Sequence, residues 1–521
     1  RTVEYTRRAG DRAVALLAYE EAVRHYRMAL RAFEQRQAKD DREKCELYLC
    51  LGDALAKAGS TAEAKEAFLV AAELARTAEL PEHLADAALG YGGRLVWTRT
   101  WGDKHLVPLL EEALAALPQS DSKLRARLLA RLAAGPLRDT HAPGPRVLMA
   151  DEAVEMARRL GDPATLAYAL EGRCEAYWGP DALDERLALA DELIQVGESS
   201  GDLERVYAGH DCRFFGLLER GDILAAVREH EAASRLADDL RQPARLWITA
   251  TRSANLALFE GRFAEAEEVI HEALELGRLA QGVNAELAFD LQLYALRREQ
   301  GRLEELVDTV ERAVDDFPGY PVLRFVLVDV LLELGREQDA RTAFEARAAE
   351  QFRLDPDDQW LFGLSLLPAA CRSLGDAERA SMLYEMLLPY LRHNAVATPE
   401  LCSGSVSRGL GILAGVMSRA EQAAEHFETA LEMNSRMGAR PWVARTQHDY
   451  ARMLLADGTP AEKARAAELL TSAHATCEVL GMTALAAKVA ALLDEVEPLA
   501  RPPHLPRVGG AADFDDAPRR A

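Results

Sequence analysis

The stretch 48–71, YLCLGDALAKAGSTAEAKEAFLVA, limits the fold more than any other part of the chain. Its small and large residues fall at offsets that suit two packed helices. Helices approach closely only where one offers a residue with little or no side chain and the other fills the gap. Gly52 and Ala64 are the points of close approach, and Phe68 is the filler. Gly59 ends the first helix in a backbone conformation that suits a residue without Cβ. The spacing predicts one helical hairpin, with Leu51 and Ala71 on its inner seam.

The same offsets recur. In 2–33 the residues Gly10, Ala22, Tyr26 and Ala29 stand where Gly52, Ala64, Phe68 and Ala71 stand in the next hairpin. A third hairpin is expected over 84–117, with Leu106, Leu110 and Ala113 along its second helix. The loop 141–145, HAPGP, is the strongest break in the first third and is expected to separate two stacks. A helix over 149–160 follows, with Ala150, Ala153 and Ala157 on one face. Asp162-Pro163 and Gly179-Pro180 punctuate the next hairpin. Turns then recur at Gly221, Gly261, Gly301, Gly335 and Gly375, and again near Ser418 and Gly458. Five residues after each of the five glycines stands a small or aliphatic residue (Ala226, Ala266, Leu306, Ala340, Ala380). Four further on stands a larger one (His230, Ile270, Val310, Phe344, Tyr384). About twelve hairpins are expected. Each exposes an apolar face that only its neighbours can cover, so the array should form one superhelix. The expected organisation is hairpins over 1–140, a continuing superhelix over 146–496, and a disordered tail over 497–521, where Pro498, Pro502, Pro503, Pro506 and Pro518 oppose helix.

Composition agrees with close-packed helices. The 521 residues are 49% hydrophobic but only 6% aromatic, which favours Ala- and Leu-rich helices over sheets. A formal net charge of −23 repels phosphate backbones, so nucleic acid is not an expected partner. The longest apolar run, near 361–371, is too short to span a bilayer, so no membrane contact is expected. Cys45, Cys50, Cys174, Cys212, Cys371, Cys402 and Cys477 form no Cys-x-x-Cys pair and read as reduced thiols of a cytoplasmic chain. The chain starts at Arg1 inside an apparent helix, and the expectation is that it was cut from a longer one.

The hairpin pattern is that of tetratricopeptide (TPR) repeats, so the expected fold is an all-α, TPR-like α-solenoid wound as a right-handed superhelix. Segments 5–13 (YTRRAGDRA) and 17–26 (LAYEEAVRHY) resemble the first TPR hairpin of large bacterial signalling ATPases, of the MalT-like region. Segments 291–302 (LQLYALRREQGR), 383–390 (LYEMLLPY) and 439–455 (ARPWVARTQHDYARMLL) are similar to the same family. The resemblance covers nearly the whole chain up to Leu493. It implies a parent carrying an AAA- or STAND-type ATPase, with an upstream class III nucleotide cyclase or a LuxR-type or winged DNA-binding output. It also implies that the repeats act as sensor and assembly arm. This chain departs from that family plan in having neither a Gly-x-x-x-x-Gly-Lys-Ser/Thr loop nor a basic helix-turn-helix after the last repeat; if Ala521 is the natural end, an upstream cyclase, or no enzymatic output at all, is expected rather than a C-terminal DNA-binding output.

No residue set reads as catalytic, cofactor-binding or metal-ligating. His210, Asp211 and Cys212 are adjacent on a helix, point about 100° apart and do not converge on one substrate atom. The histidines lack the spacing of a zinc site. Paired carboxylates such as Glu267-Glu268 and Asp315-Asp316 read as solvated faces. Arg297-Arg298 precedes a turn glycine. It suits either the negative end of a helix or capture of a carboxylate or phosphate. Counting back from the turn glycines places Asp211, Phe215, Thr251, Asn255, Leu291, Arg298, Phe325, Asp329, Phe362 and Ser365 on the concave face. That mixture suits a protein or peptide in the groove, and the parent's own ATPase domain is one candidate. The same residues would also serve to pack neighbouring hairpins. The alternative expectation is a small effector bound near Arg298, and self-association is compatible with either.

Overall fold

The computed structural model describes residues 1–36, 40–93, 95, 103–135, 137, 143–176, 178–352 and 358–500. Among the described residues twelve helical pairs follow one another, from Thr2–Ala15 with Tyr19–Glu34 to Arg440–Asp457 with Pro460–Leu480, and a further helix, Thr483–Ala500, comes after them. The inner helix of the tenth pair is broken into Trp360–Ser365 and Pro368–Leu374. The fold is an all-α, TPR-like solenoid. No helix among the described residues is long and apolar enough to cross a membrane.

The seam is built as the spacing requires. A Cβ on Gly52 would lie 2.8 Å from the Phe68 ring, and one on Gly10 would lie 2.6 Å from Tyr26. Phe68 also fills against Gly90 of the next inner helix, so one ring joins two hairpins. Gly59 has φ +85°, where a Cβ is strained. Ala22, Ala64, Ala226, Ala266, Ala340 and Ala380 are all buried. At several turns the sequence Gly-Asp does two jobs. Gly221 ends one helix left-handed, and the Asp222 carboxylate accepts from the Ala225 amide to start the next. Gly201-Asp202 and Gly375-Asp376 repeat the device. We expect Ala64→Leu to cost roughly 1–3 kcal/mol by overpacking. Glu63→Leu removes only an exposed pair with Arg27 and should cost about 0.5 kcal/mol or less. Urea midpoints of the two variants check this register, and equal costs would show it to be misplaced.

Successive turns of the superhelix touch. Tyr19 Oη donates to the Leu240 carbonyl at 3.0 Å, and Thr61 Oγ1 to the Ala280 carbonyl at 2.7 Å, across 221 and 219 residues of chain. Helix-ending glycines of one turn sit against helix starts of the next: Gly59 on Pro243, Gly261 on Pro441, Gly301 on Thr483. Side chains there would hold the turns apart.

Two local expectations are corrected, and one unexpected feature is added. A helix, Pro143–Leu160, begins inside the expected break at 141–145, because proline is tolerated in a first helical turn; residues 138–142 lie outside the described ones. The last helix runs past Pro498 to Ala500, so helix replaces the first residues of the expected tail; the remainder, 501–521, lies outside the described residues. Finally, residues 394–405 form an antiparallel pair, β1 (Asn394–Ala397) and β2 (Leu401–Ser405), in register Val396 to Cys402 and Ala397 to Leu401.

Candidate functional site

Of the residues expected on the concave face, Asn255 and Ser365 bond to the β1–β2 hairpin, and Arg298 and Phe362 lie beside it. Every residue of both strands is buried. The hairpin packs on the inner helices Leu203–Arg220, Pro243–Glu260, Val283–Gln300 and Trp360–Ser365, and on Ala420–Arg436 and Arg440–Asp457. Asn255 Nδ2 donates to the Pro399 carbonyl at 3.3 Å, and Gln292 Nε2 to the Glu400 carbonyl at 2.9 Å and the Thr251 carbonyl at 2.8 Å. At the other end Asn394 Nδ2 donates to the Leu218 carbonyl at 2.8 Å, and the Ser405 amide to Asn434 Oδ1 at 3.0 Å. Ser365 Oγ lies 3.1 Å from Ser403 Oγ. Side-chain amides thus satisfy main-chain groups of the hairpin's turn and of the last residue of β2.

The other expected residues are buried with partners of their own. The Asp211 carboxylate accepts from Arg252 at 2.7 Å, while His210 turns to Glu229 at 2.7 Å and Cys212 to Glu175, so that trio diverges. Thr251 Oγ1 donates to the Trp247 carbonyl. Phe215 packs edge-on against Trp178 and Phe214. Leu291, Phe325 and Phe362 belong to the largest apolar core. Arg297 binds Glu267 at 2.6 Å. Arg298 does capture a carboxylate, but that of Asp329, at 3.0 Å, which Tyr294 Oη also engages. Arg298 and Phe362 flank a residual cavity of about 30 Å³ beside Leu401, Cys402 and Ser403. That holds about one water, so an effector beside Arg298 would have to displace the hairpin.

A charge network that the sequence reading missed extends from Arg298. Glu333 lies between Arg298, Arg445 and Lys488, with Lys488 Nζ at 2.6 Å. Burial works to raise the Glu333 carboxyl, but the three cations outweigh it and bring it down to about 2. Arg445 also binds Glu299 at 2.7 Å, which ties the last full hairpin to the eighth. Asp449 receives Arg372 at 2.7 Å and Arg408 at 2.8 Å, so its carboxyl stays well below the usual range despite full burial. These residues are scattered from 298 to 488, and no local spacing brings them together.

His230 offers a pH test of the packing. Burial, reinforced by Arg252, pushes its imidazole down to about 3. Its Nδ1 has no hydrogen-bond partner, and its Nε2 lies 3.1 Å from Ser253 Oγ. The unfolded chain therefore binds this proton first as pH falls below about 6.5. Stability is then lost with falling pH, by up to about 1.4 kcal/mol per pH unit from this group. We expect His230→Gln to flatten the fall in melting temperature between pH 7 and pH 5; parallel curves would refute the assignment.

The first six hairpins present a second concave region, and it is open. It is a groove of about 520 Å³ lined by their inner helices. Asp11, Asp53 and Asp86 stand on three successive inner helices, and Arg127 with Arg131, Tyr168 and Arg205 on the next three. Asp11 accepts from Tyr26 Oη at 2.7 Å, and Asp53 pairs with Lys57 at 2.9 Å. Arg205 pairs with Glu171. Arg127 and Arg205 both lie over the Tyr168 ring, at 5.8 and 5.0 Å. Asp86 and Arg127 have no hydrogen bond or ion pair among the described residues. Asp86 is reachable by solvent yet ringed by protein, and this desolvation raises its carboxyl against the pull of His83 and Arg127.

No family model matches the chain, and no curated protein matches it. Among solved structures, the chain is similar to one in the crystal structure of the APC/C hetero-tetramer Cut9-Hcn1, with 13% identity over 95% of this chain and 94% of that one, at a TM-score of 0.39. It is similar to yeast Tom70 with 12% identity over 95% and 97%, at 0.32. A chain of the Naa15/Naa10 complex bound to HypK-THB has 12% identity over 94% and 85%, at 0.20.

Proposed function

We propose that the chain is a non-enzymatic, protein-binding solenoid, the sensor and assembly arm of a cytoplasmic, bacterial, ATP-binding signalling regulator. One observation carries the binding part. The inner helices already hold main chain of another segment, the turn of the β1–β2 hairpin, through side-chain amides on the Pro399 and Glu400 carbonyls. A surface whose side chains satisfy main-chain carbonyls of a separate segment is suited to binding a peptide. The signalling part rests on the resemblance of segments 5–26, 291–302, 383–390 and 439–455 to the repeats of signalling ATPases. In that setting the parent's ATPase domain is the first partner to test.

The test is a calorimetric titration of the chain with the nucleotide-binding domain from its own reading frame, in ADP and ATP states. Saturable binding that differs between the two states is the expected result. A reading frame without such a domain, or no binding in either state, would remove the signalling-arm reading.

A further inference from the structure

We infer that the open groove of the first six hairpins is the docking site for a basic, extended polypeptide segment, whose Lys or Arg side chains meet the Asp11, Asp53 and Asp86 row and whose main-chain carbonyls meet Arg127. The inference rests on the protein-binding reading and adds the place and the chemistry of the partner.

Four observations lead to it. The middle of the concave face is filled by β1–β2, whereas the first six hairpins leave about 520 Å³ open. Three carboxylates stand on successive inner helices, a spacing along the groove that a chain running across the helices would follow. Asp86 is the least satisfied of the three. Its side chain is exposed and has neither hydrogen bond nor ion pair among the described residues, so an incoming cation displaces no partner there. On the next inner helix, Lys123–Ala133, Arg127 lies over the Tyr168 ring at 5.8 Å, and its Nε is buried without an acceptor. A main-chain carbonyl supplies that acceptor, as Pro399 and Glu400 supply theirs to Asn255 and Gln292 further along the same superhelix. The chain's net charge of −23 draws a basic segment towards the groove and keeps an acidic one away.

The experiment uses the full chain and two fluorescein-labelled decapeptides, one alternating Lys and Ala, the other Glu and Ala, followed by anisotropy at 150 mM salt. Two triple variants remove the same charge. One is Asp11→Asn, Asp53→Asn, Asp86→Asn in the groove. The other is Glu304→Gln, Asp315→Asn, Asp316→Asn on exposed surface elsewhere. We expect the lysine peptide to bind and the glutamate peptide not to. The groove triple should weaken binding tenfold or more, Arg127→Ala about threefold, and the surface triple less than twofold, all at unchanged melting temperature. Equal losses in the two triples would reduce the effect to net charge and overturn the site. Preference for the glutamate peptide, or no binding of either, would overturn the basic partner. If the groove triple fails to fold, Asp86→Asn alone is decisive, with an expected loss of at least threefold and no loss as the contrary result. Failure of the lysine peptide while the ATPase domain still binds would sink this assignment only; loss of both would sink the protein-binding reading with it.

Discussion

Arg298→Met should destabilise the chain by about 3–5 kcal/mol, the cost of leaving a buried carboxylate without its partner. Arg298 and Asp329 are 7% and 2% exposed, and their contact of 3.0 Å sits beneath the β1–β2 hairpin. The loss would not be one of shape, since methionine fills much of the same volume. It would come from Asp329, which would keep only the Tyr294 hydroxyl. The double variant Arg298→Met, Asp329→Leu should therefore recover a large part of the loss. Urea unfolding of the two variants checks this. A double variant as unstable as the single one would mean that the pair is not the source of the cost. The same reasoning excludes Arg298 as a mild probe of partner binding, because altering it unsettles the core.

The second large effect is expected at Gly404, in β2. Its φ is +71°, and a Cβ there would lie 2.8 Å from Trp442 Cγ and 2.9 Å from Asn434 Oδ1. Gly404→Val adds left-handed strain to a clash in a filled site, and should cost roughly 2–4 kcal/mol. Gly481 provides the comparison, since its φ is +72° but nothing lies within 4 Å of a Cβ. Gly481→Ala should cost only about 1 kcal/mol, the conformational part alone. Thermal melts of the two variants separate strain from space. Similar losses would show that the hairpin is not seated against Trp442.

The helical hairpins were legible because their signal is local. Gly52 with Phe68, Gly10 with Tyr26, and the turn glycines from Gly221 to Gly375 each lie within one pair of helices. A fixed count back from each turn glycine also picks out positions that are buried, Asn255 and Phe325 among them. The strand pair that packs against Asn255 was not legible. Strands β1 and β2 are buried on both faces, so 394–405 shows none of the polar–apolar alternation that betrays a half-exposed strand. Thr398-Pro399 as a turn and Gly404 as a strand kink were the available signals. The charge network escaped for a different reason. Arg298, Glu333, Arg445 and Lys488 come together only when one turn of the superhelix closes on the next, a property of winding that no window of sequence carries. Residues 1–140 and 146–496 meet in the same way, through Tyr19 with Leu240 and Thr61 with Ala280.

Amide hydrogen exchange over residues 394–405 tests most directly whether the middle of the superhelix is closed by its own hairpin. The account predicts that these amides are protected as strongly as those of the inner helix Pro243–Glu260, and exchange only with global unfolding. Exchange as fast as that of an exposed loop, while Pro243–Glu260 stays protected, would contradict it and return the middle of the concave face to the surfaces available for a partner.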